Sequence, residues 1–356
     1  MRQIRWLVMA AAALAATHAQ AAVKYRVEAL PLLPQSLQSV DYQDINNRGE
    51  ILGYGAPPGS EQYRAFVLGE GRYREIDTSA ANGFSVNPRY LNDRGQIAMT
   101  IFGQGGPRPW LYTDGILKDL TPEGAVGSED GSTDVAGLSR SGHVVGNYRD
   151  GLFFYDGTRS RYLDLGLNDG EVALARGMND ADVIVGSIRD PRLNWNGFMY
   201  DRGQITFLQG LRPLGINNRH QILAITQAGA MVIRNADDTL NEPGFFISDF
   251  NNVGWATGWT FPPYADDARA FLYRDGQSMD LNHLLLESQQ QRWTLRLSYE
   301  MNDAGQILGI GSRLGGSGDE WFLATPVPES QSWALLLCGL GMVGAVARRH
   351  GRTPAL

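Results

Sequence analysis

One nine-residue stretch, Ile45-Asn46-Asn47-Arg48-Gly49-Glu50-Ile51-Leu52-Gly53, constrains this chain more than any other, because the sequence repeats it. The box returns at 91–99, 138–146, 178–186, 216–224, 250–258 and 301–309, which makes seven copies. Its first position is apolar throughout. Its second is Asn46, Asn92, Asn179, Asn217, Asn251 or Asn302, with Ser139 in the remaining copy. Self-similarity at this period specifies a repeat architecture before any single residue is weighed.

The box has the composition of a hairpin. Asn and Asp side chains bond their own backbone and tolerate left-handed geometry, and Gly takes positive φ without steric cost. The fifth position carries that role as Gly49, Gly95, Gly142, Gly254 and Gly305, and as Asp182 and His220 in two copies. Asp and His are among the non-glycine residues enriched at positive φ. No copy stands out chemically, so the boxes are expected to be turns rather than catalytic motifs.

A second signature follows each box by 15 to 21 residues: an aromatic or branched run such as Ala65-Phe66-Val67-Leu68, Leu152-Phe153-Phe154-Tyr155 or Ala270-Phe271-Leu272-Tyr273. Such runs suit buried strands. Tight turns at Asp114-Gly115, Asp156-Gly157 and Asp275-Gly276 then lead to a third signature ending at Ile76, Leu120, Leu165, Leu208 and Leu281. Each repeat therefore offers four short strands, the content of one β-propeller blade. The expected fold is all-β, a seven-bladed β-propeller. No third signature follows Trp321-Phe322-Leu323, whereas the chain opens with that signature at Tyr25 to Leu30. The N-terminal strand is thus expected to complete the last blade and leave no free sheet edge there. The stretch from Leu281 to Arg292 is the best helical candidate, taken as a decorated loop.

The repeat resembles the HAF family of bacterial extracellular repeats, named for a His-Ala-Phe run. Ala65-Phe66, Ala270-Phe271 and the boxes Asn92 to Gln96 and Asn302 to Gln306 carry the likeness. The His is absent from all seven copies, with Arg64 and Arg269 at its place in two. The resemblance covers roughly residues 25 to 325; it implies an exported repeat protein and no particular reaction.

Both ends look like addresses. Arg2 and Arg5, an apolar core from Trp6 to Ala16 and the small residues Ala19 and Ala21 form an export signal over residues 1–21. Residues 22–325 then make up the repeat ectodomain, and 326–356 a sorting or anchoring segment. There Val327-Pro328-Glu329-Ser330 precedes an apolar stretch at 333–347 and then Arg348, Arg349 and Arg352. An apolar run with trailing arginines fits a membrane segment whose tail stays in the cytoplasm. This tail resembles the PEP-CTERM sorting signal of Gram-negative bacteria that make exopolysaccharide, with Ser330 where the second Pro belongs. The resemblance implies processing by an exosortase-type enzyme, transient anchoring in the inner membrane, and a cell-surface or extracellular destination.

Between these ends the net charge is about −11, from 26 Lys and Arg against 37 Asp and Glu. An acidic surface argues against nucleic acid as a partner. The one cysteine, Cys338, lies in the apolar tail, so the ectodomain must stand on its core without disulfides. No His pair or Cys pair has the spacing of a zinc site. The oxygen-rich stretches 129–134 and Asp266-Asp267 lack full calcium-loop spacing, so no cofactor is expected. Long connections share the face opposite the boxes, and loops on a rigid scaffold are where binding concentrates. Tyr63, Trp195 and Tyr264 are the aromatics there that could stack on sugar or peptide. The favoured function is non-enzymatic binding of matrix polysaccharide or a surface partner; the alternative is a polysaccharide hydrolase or lyase. Carboxylates converging with an Arg or His at the channel mouth would favour the enzyme, and small or apolar groups would favour binding.

Overall fold

The computed structural model describes residues 23–327 except 32, 35, 124–132, 149–150, 230, 235–238, 242–244, 261–267 and 317. The export signal with Ala19 and Ala21, the tail with Pro328, Glu329, Arg348 and Arg349, and Tyr264 lie outside the described residues. Seven four-stranded antiparallel sheets follow one another as the blades of a β-propeller. Blade 1 runs through Gln38–Ile45, Ile51–Ala56, Arg64–Gly69 and Arg72–Glu75. Blades 2 to 6 repeat this order over residues 85–119, 134–163, 172–208, 211–241 and 245–280. In each, strand 1 lines the central channel and strand 4 is outermost.

Every box is the hairpin between strands 1 and 2. The fifth position has positive φ in all seven copies, Asp182 and His220 included, both at 61°. The second-position Asn accepts, through Oδ1, the N–H of the residue four places on, as Gln221 does at Asn217. In Ser139 the hydroxyl does the same for His143.

The ninth position explains the aromatic signature. Gly53, Gly146, Gly186, Gly258 and Gly309 pair across to Phe66, Phe153, Phe198, Phe271 and Phe322, all fully buried. A Cβ on Gly146 would lie 2.4 Å from the Phe153 ring. Small residue and aromatic are therefore one packing unit. In blade 5, where the glycine is Ala224, its partner is the smaller Val232.

Blade 7 takes strands 1 to 3 from Trp293–Met301, Ile307–Arg313 and Asp319–Val327, and strand 4 from the N-terminal Lys24–Ala29. The register runs from Lys24↔Val327 to Ala29↔Phe322, which is the closure expected from the sequence. Tyr25 and Val27 enter the core beside Leu295, Ile307 and Phe322. Residues 281–292 form a 3₁₀ turn, Leu281–Leu284, and a single helical turn, Glu287–Gln290. They brace the closure: Leu286 N–H donates to the Tyr25 carbonyl at 2.9 Å, and Gln289 both accepts from Val27 N–H and donates to its carbonyl.

Deleting residues 23–30 should lower the melting temperature by roughly 10 °C or more, because buried Tyr25 and Val27 are lost and an edge is opened. A thermal melt unchanged by the deletion would contradict closure by this strand.

Candidate functional site

Two side-chain rings surround the channel at the box face. In the inner ring, the Nδ2 of each second-position Asn donates to the main-chain carbonyl of the corresponding residue in the next blade: Asn46 to Asn92, Asn92 to Ser139, Asn179 to Asn217, Asn217 to Asn251, Asn251 to Asn302, and Asn302 to Asn46. These six Asn are buried. Ser139 is the gap, since its hydroxyl meets Ser141 instead.

The outer ring comes from the third box position. Asn47 donates to Asp93 and Asp303, Asp180 exchanges bonds with Asn218, Asn218 N–H reaches Asn252, and Asn252 donates to Asp303. Arg140 spans the gap at blade 3: its main-chain N–H donates to Asp180 at 2.6 Å and its guanidinium contacts Asp93 and Asp180. These residues belong to the repeat turns, and in the structure they also join the blades.

Inside the rings lies a cavity of about 380 Å³ walled by all seven blades. A β-bulge shapes it. Two residues before each box, strand 1 of every blade skips a residue in its pairing to strand 2: Gln43, Arg89, Ala136, Arg176, Leu214, Ser248 and Tyr299. Bulges re-aim side chains and recur beside functional sites. The residue after each bulge, immediately before the box, is Asp44, Tyr90, Gly137, Gly177, Gly215, Asp249 or Glu300. Three carboxylates from neighbouring blades 6, 7 and 1 thus face the cavity with Arg89 of blade 2.

Asp44 and Asp249 are engaged internally. Asp44 accepts from the N–H of Ile45 at 2.8 Å and of Leu91 at 2.6 Å; Asp249 accepts from Phe250 at 2.7 Å and Met301 at 2.8 Å. The side chains of Glu300 and Arg89 make no hydrogen bond with described residues. All three acids are half-buried by area because they face the cavity, yet protein walls them in. Burial pushes Asp44 and Asp249 up to about 7, although two main-chain donors on each act in the opposite direction. Glu300 is raised well above the usual carboxylate range by burial and by Asp249 and Asp44, with Arg89 opposing. Deeper in the wall, burial also raises Asp134, against Arg89 and a hydrogen bond from Thr100.

The cavity opens at the box face, opposite the long connections. Tyr63 packs edge-on against Tyr54 in blade 1, and Trp195 lies under the Arg189 guanidinium in blade 4. They sit three blades apart and do not converge. Among the described residues no cluster of three or more His, Cys, Asp or Glu is arranged to hold a metal. His143, in the box of blade 3, bonds Asp182 through Nδ1 at 2.9 Å. His220 occupies the left-handed turn position, outside the cavity lining. The acids Asp44, Asp249 and Glu300 escaped sequence analysis because they stand one residue outside the repeated box. The signal available was that this column divides into three acids, three glycines and one tyrosine beside an otherwise regular motif.

No family profile matches the sequence, and none of the curated proteins does either. Solved structures do resemble the fold. An acylaminoacyl peptidase aligns with TM-score 0.50 at 10% identity, over 83% of this chain and 53% of that one. Porphyromonas gingivalis dipeptidyl peptidase 4 gives 0.46 at 10%, over 85% and 54%. An oligogalacturonate lyase from Vibrio parahaemolyticus gives 0.45 at 11%, over 86% and 98%. The chain spans about half the length of the two peptidases. At 10% identity the likeness to the acylaminoacyl peptidase bears on the propeller fold alone and says nothing about chemistry.

Two outcomes follow from the rings and the acids. Ser139→Asn should close the inner ring and stabilise the protein by roughly 0.5–1.5 kcal/mol, whereas Asn217→Ala should cost about 1–3 kcal/mol by stripping two part-buried N–H groups of their acceptor and the buried Asn251 carbonyl of its donor. Denaturant unfolding measures both. The second concerns pH. Between the ordinary carboxylate value, 3.8, and about 7, folded Asp44 and Asp249 hold protons that the unfolded chain has released. Stability from this cluster is therefore present at low pH and lost as pH rises through that window. The protein should melt higher at pH 5 than at pH 8, and Glu300→Gln should narrow the difference. A mutant melting profile parallel to wild type would show that Glu300 does not titrate with the cluster.

Proposed function

We propose that the chain is an exported, cell-surface or extracellular propeller that binds a polar ligand of the sugar class at the box-face cavity, without transforming it. The observation that carries this is the cavity itself. Its volume of about 380 Å³ falls within the ~300–1,000 Å³ typical of small-ligand sites. Its wall is polar, and it holds one carboxylate and one guanidinium, Glu300 and Arg89, without internal hydrogen bonds to described residues. Sugars present many hydroxyls, each both donor and acceptor, and such a wall suits them.

Carboxylates and an arginine do converge, which is the arrangement set out above as favouring an enzyme. Their engagement argues otherwise. Glycoside chemistry ordinarily needs two working carboxyl groups, and Asp44 and Asp249 already have both oxygens on main-chain N–H groups. A second reading, a hydrolase or lyase, is favoured by Glu300 alone, whose raised proton affinity suits a general acid.

Calorimetric titration with neutral and acidic oligosaccharides tests the proposal. Binding should weaken about tenfold or more in Glu300→Gln and Arg89→Ala, since a lost charged hydrogen bond carries ~1.5–3 kcal/mol, and no new reducing or unsaturated ends should form. Turnover that disappears in Glu300→Gln would instead establish the enzyme. Export is supported by the signal ending near Ala21 and by the tail from Val327 onward. Intact mass measured on protein from its native host should lack residues 1–21 and the apolar tail after Val327-Pro328-Glu329. A retained tail would mean a plain membrane anchor without exosortase processing.

A further inference from the structure

Strand 1 of each blade is a sheet edge, so on its channel side the main chain has no strand to pair with. In all seven boxes the second-position N–H bonds the carbonyl four residues on, across the hairpin. The first-position residue sits at the alternate site of the ladder, opposite the residue six places on, as in Ile45↔Ile51 and Met178↔Ile184. Its N–H therefore turns to the channel. Four of these seven N–H groups meet a carboxylate there. Asp44 joins Ile45 to Leu91, and Asp249 joins Phe250 to Met301. In each case one carboxylate bridges the N–H groups of two adjacent blades, one oxygen to each.

The other three behave differently. In blades 3, 4 and 5 the residue before the box is Gly137, Gly177 or Gly215, and the N–H groups of Leu138, Met178 and Ile216 have no acceptor among the described residues. All three residues line the cavity, Met178 and Ile216 with only 8% of their surface exposed. The glycines keep the approach open: a Cβ on Gly137 would lie 3.0 Å from the Met178 nitrogen, and one on Gly177 3.2 Å from the Ile216 nitrogen. Any side chain at those positions would cover the donors.

We propose that this wall binds the carboxylate of an acidic sugar, bridging the N–H groups of Leu138 and Met178 or of Met178 and Ile216 as Asp44 and Asp249 bridge theirs. The inference rests on the ligand site proposed above and names its substrate class. Successive main-chain N–H groups turned to one concavity are an established anion-binding device. The opposite wall fixes the rest of the ligand. Glu300 presents an acceptor there beside Asp44 and Asp249, and this acidic side favours hydroxyl donors and disfavours a second anionic group. A ring with one carboxylate and several hydroxyls, a hexuronate, satisfies both walls.

Amide spectra of the uniformly ¹⁵N-labelled protein titrated with glucuronate, with glucose as control, test this. Glucuronate should shift the Leu138, Met178 and Ile216 amides downfield and bind about tenfold or more tighter than glucose, as expected for a charged acceptor on main-chain donors. Gly137→Ala, which places a Cβ 3.0 Å from the nitrogen of Met178, the donor common to both bridges, should abolish that preference. If this variant fails to fold, the wild-type spectra alone decide. Equal binding of glucose and glucuronate that still depends on Glu300 would overturn the carboxylate site and leave the sugar-binding function standing. Shifts confined to other amides would also overturn it. No response to either sugar would overturn both.

Discussion

The blades are held in register by side-chain amides that reach from six of the seven boxes to the next blade's main-chain carbonyl. Packing between blades is apolar and therefore non-directional; it fixes how close two sheets sit but only weakly where one slides along the other. The amide of Asn217, bonded to the Asn251 carbonyl at 2.8 Å while its Oδ1 caps its own turn, removes that freedom. One residue thereby shapes a hairpin and locates a neighbour. The polar atoms it buries are satisfied at both ends, as burial away from water requires.

Given that frame, the channel wall is free to vary, and the column just before the box divides it into two sides. Where blades 6, 7 and 1 carry Asp249, Glu300 and Asp44, blades 3, 4 and 5 carry glycine. The result is a cavity with acceptors on one side and main-chain donors on the other, built without disturbing the rings above it. The same bulge in all seven strands makes this possible, since it turns the column toward the axis in each blade.

Periodicity made the architecture readable from residues alone. The count of boxes, the left-handed role of Asp182 and His220, and the missing outer strand supplied by Tyr25 to Leu30 all follow from comparing copies. The cavity did not. A bulge adds a residue without changing composition, so alternation along Tyr42-Gln43-Asp44 gives no sign that Asp44 faces the axis. Nor does a repeated Asn reveal that its amide leaves its own blade, because the acceptor lies between 34 and 51 residues away in most copies and 256 in the last. Aromatics such as Tyr63 and Trp195 stand out in sequence, but side-chain type does not tell which of them share a surface.

The closing strand pair also sets a direction. Strand 3 of a blade runs parallel to strand 1, toward the boxes, and Val327 is the last residue of strand 3 in blade 7, paired with Lys24. Whatever is joined to the propeller beyond Val327 therefore departs from the side on which the cavity opens. A surface tethered through that end would face the Asn rings and leave the long connections pointing outward, so the height of the tether would govern which molecules can reach the channel.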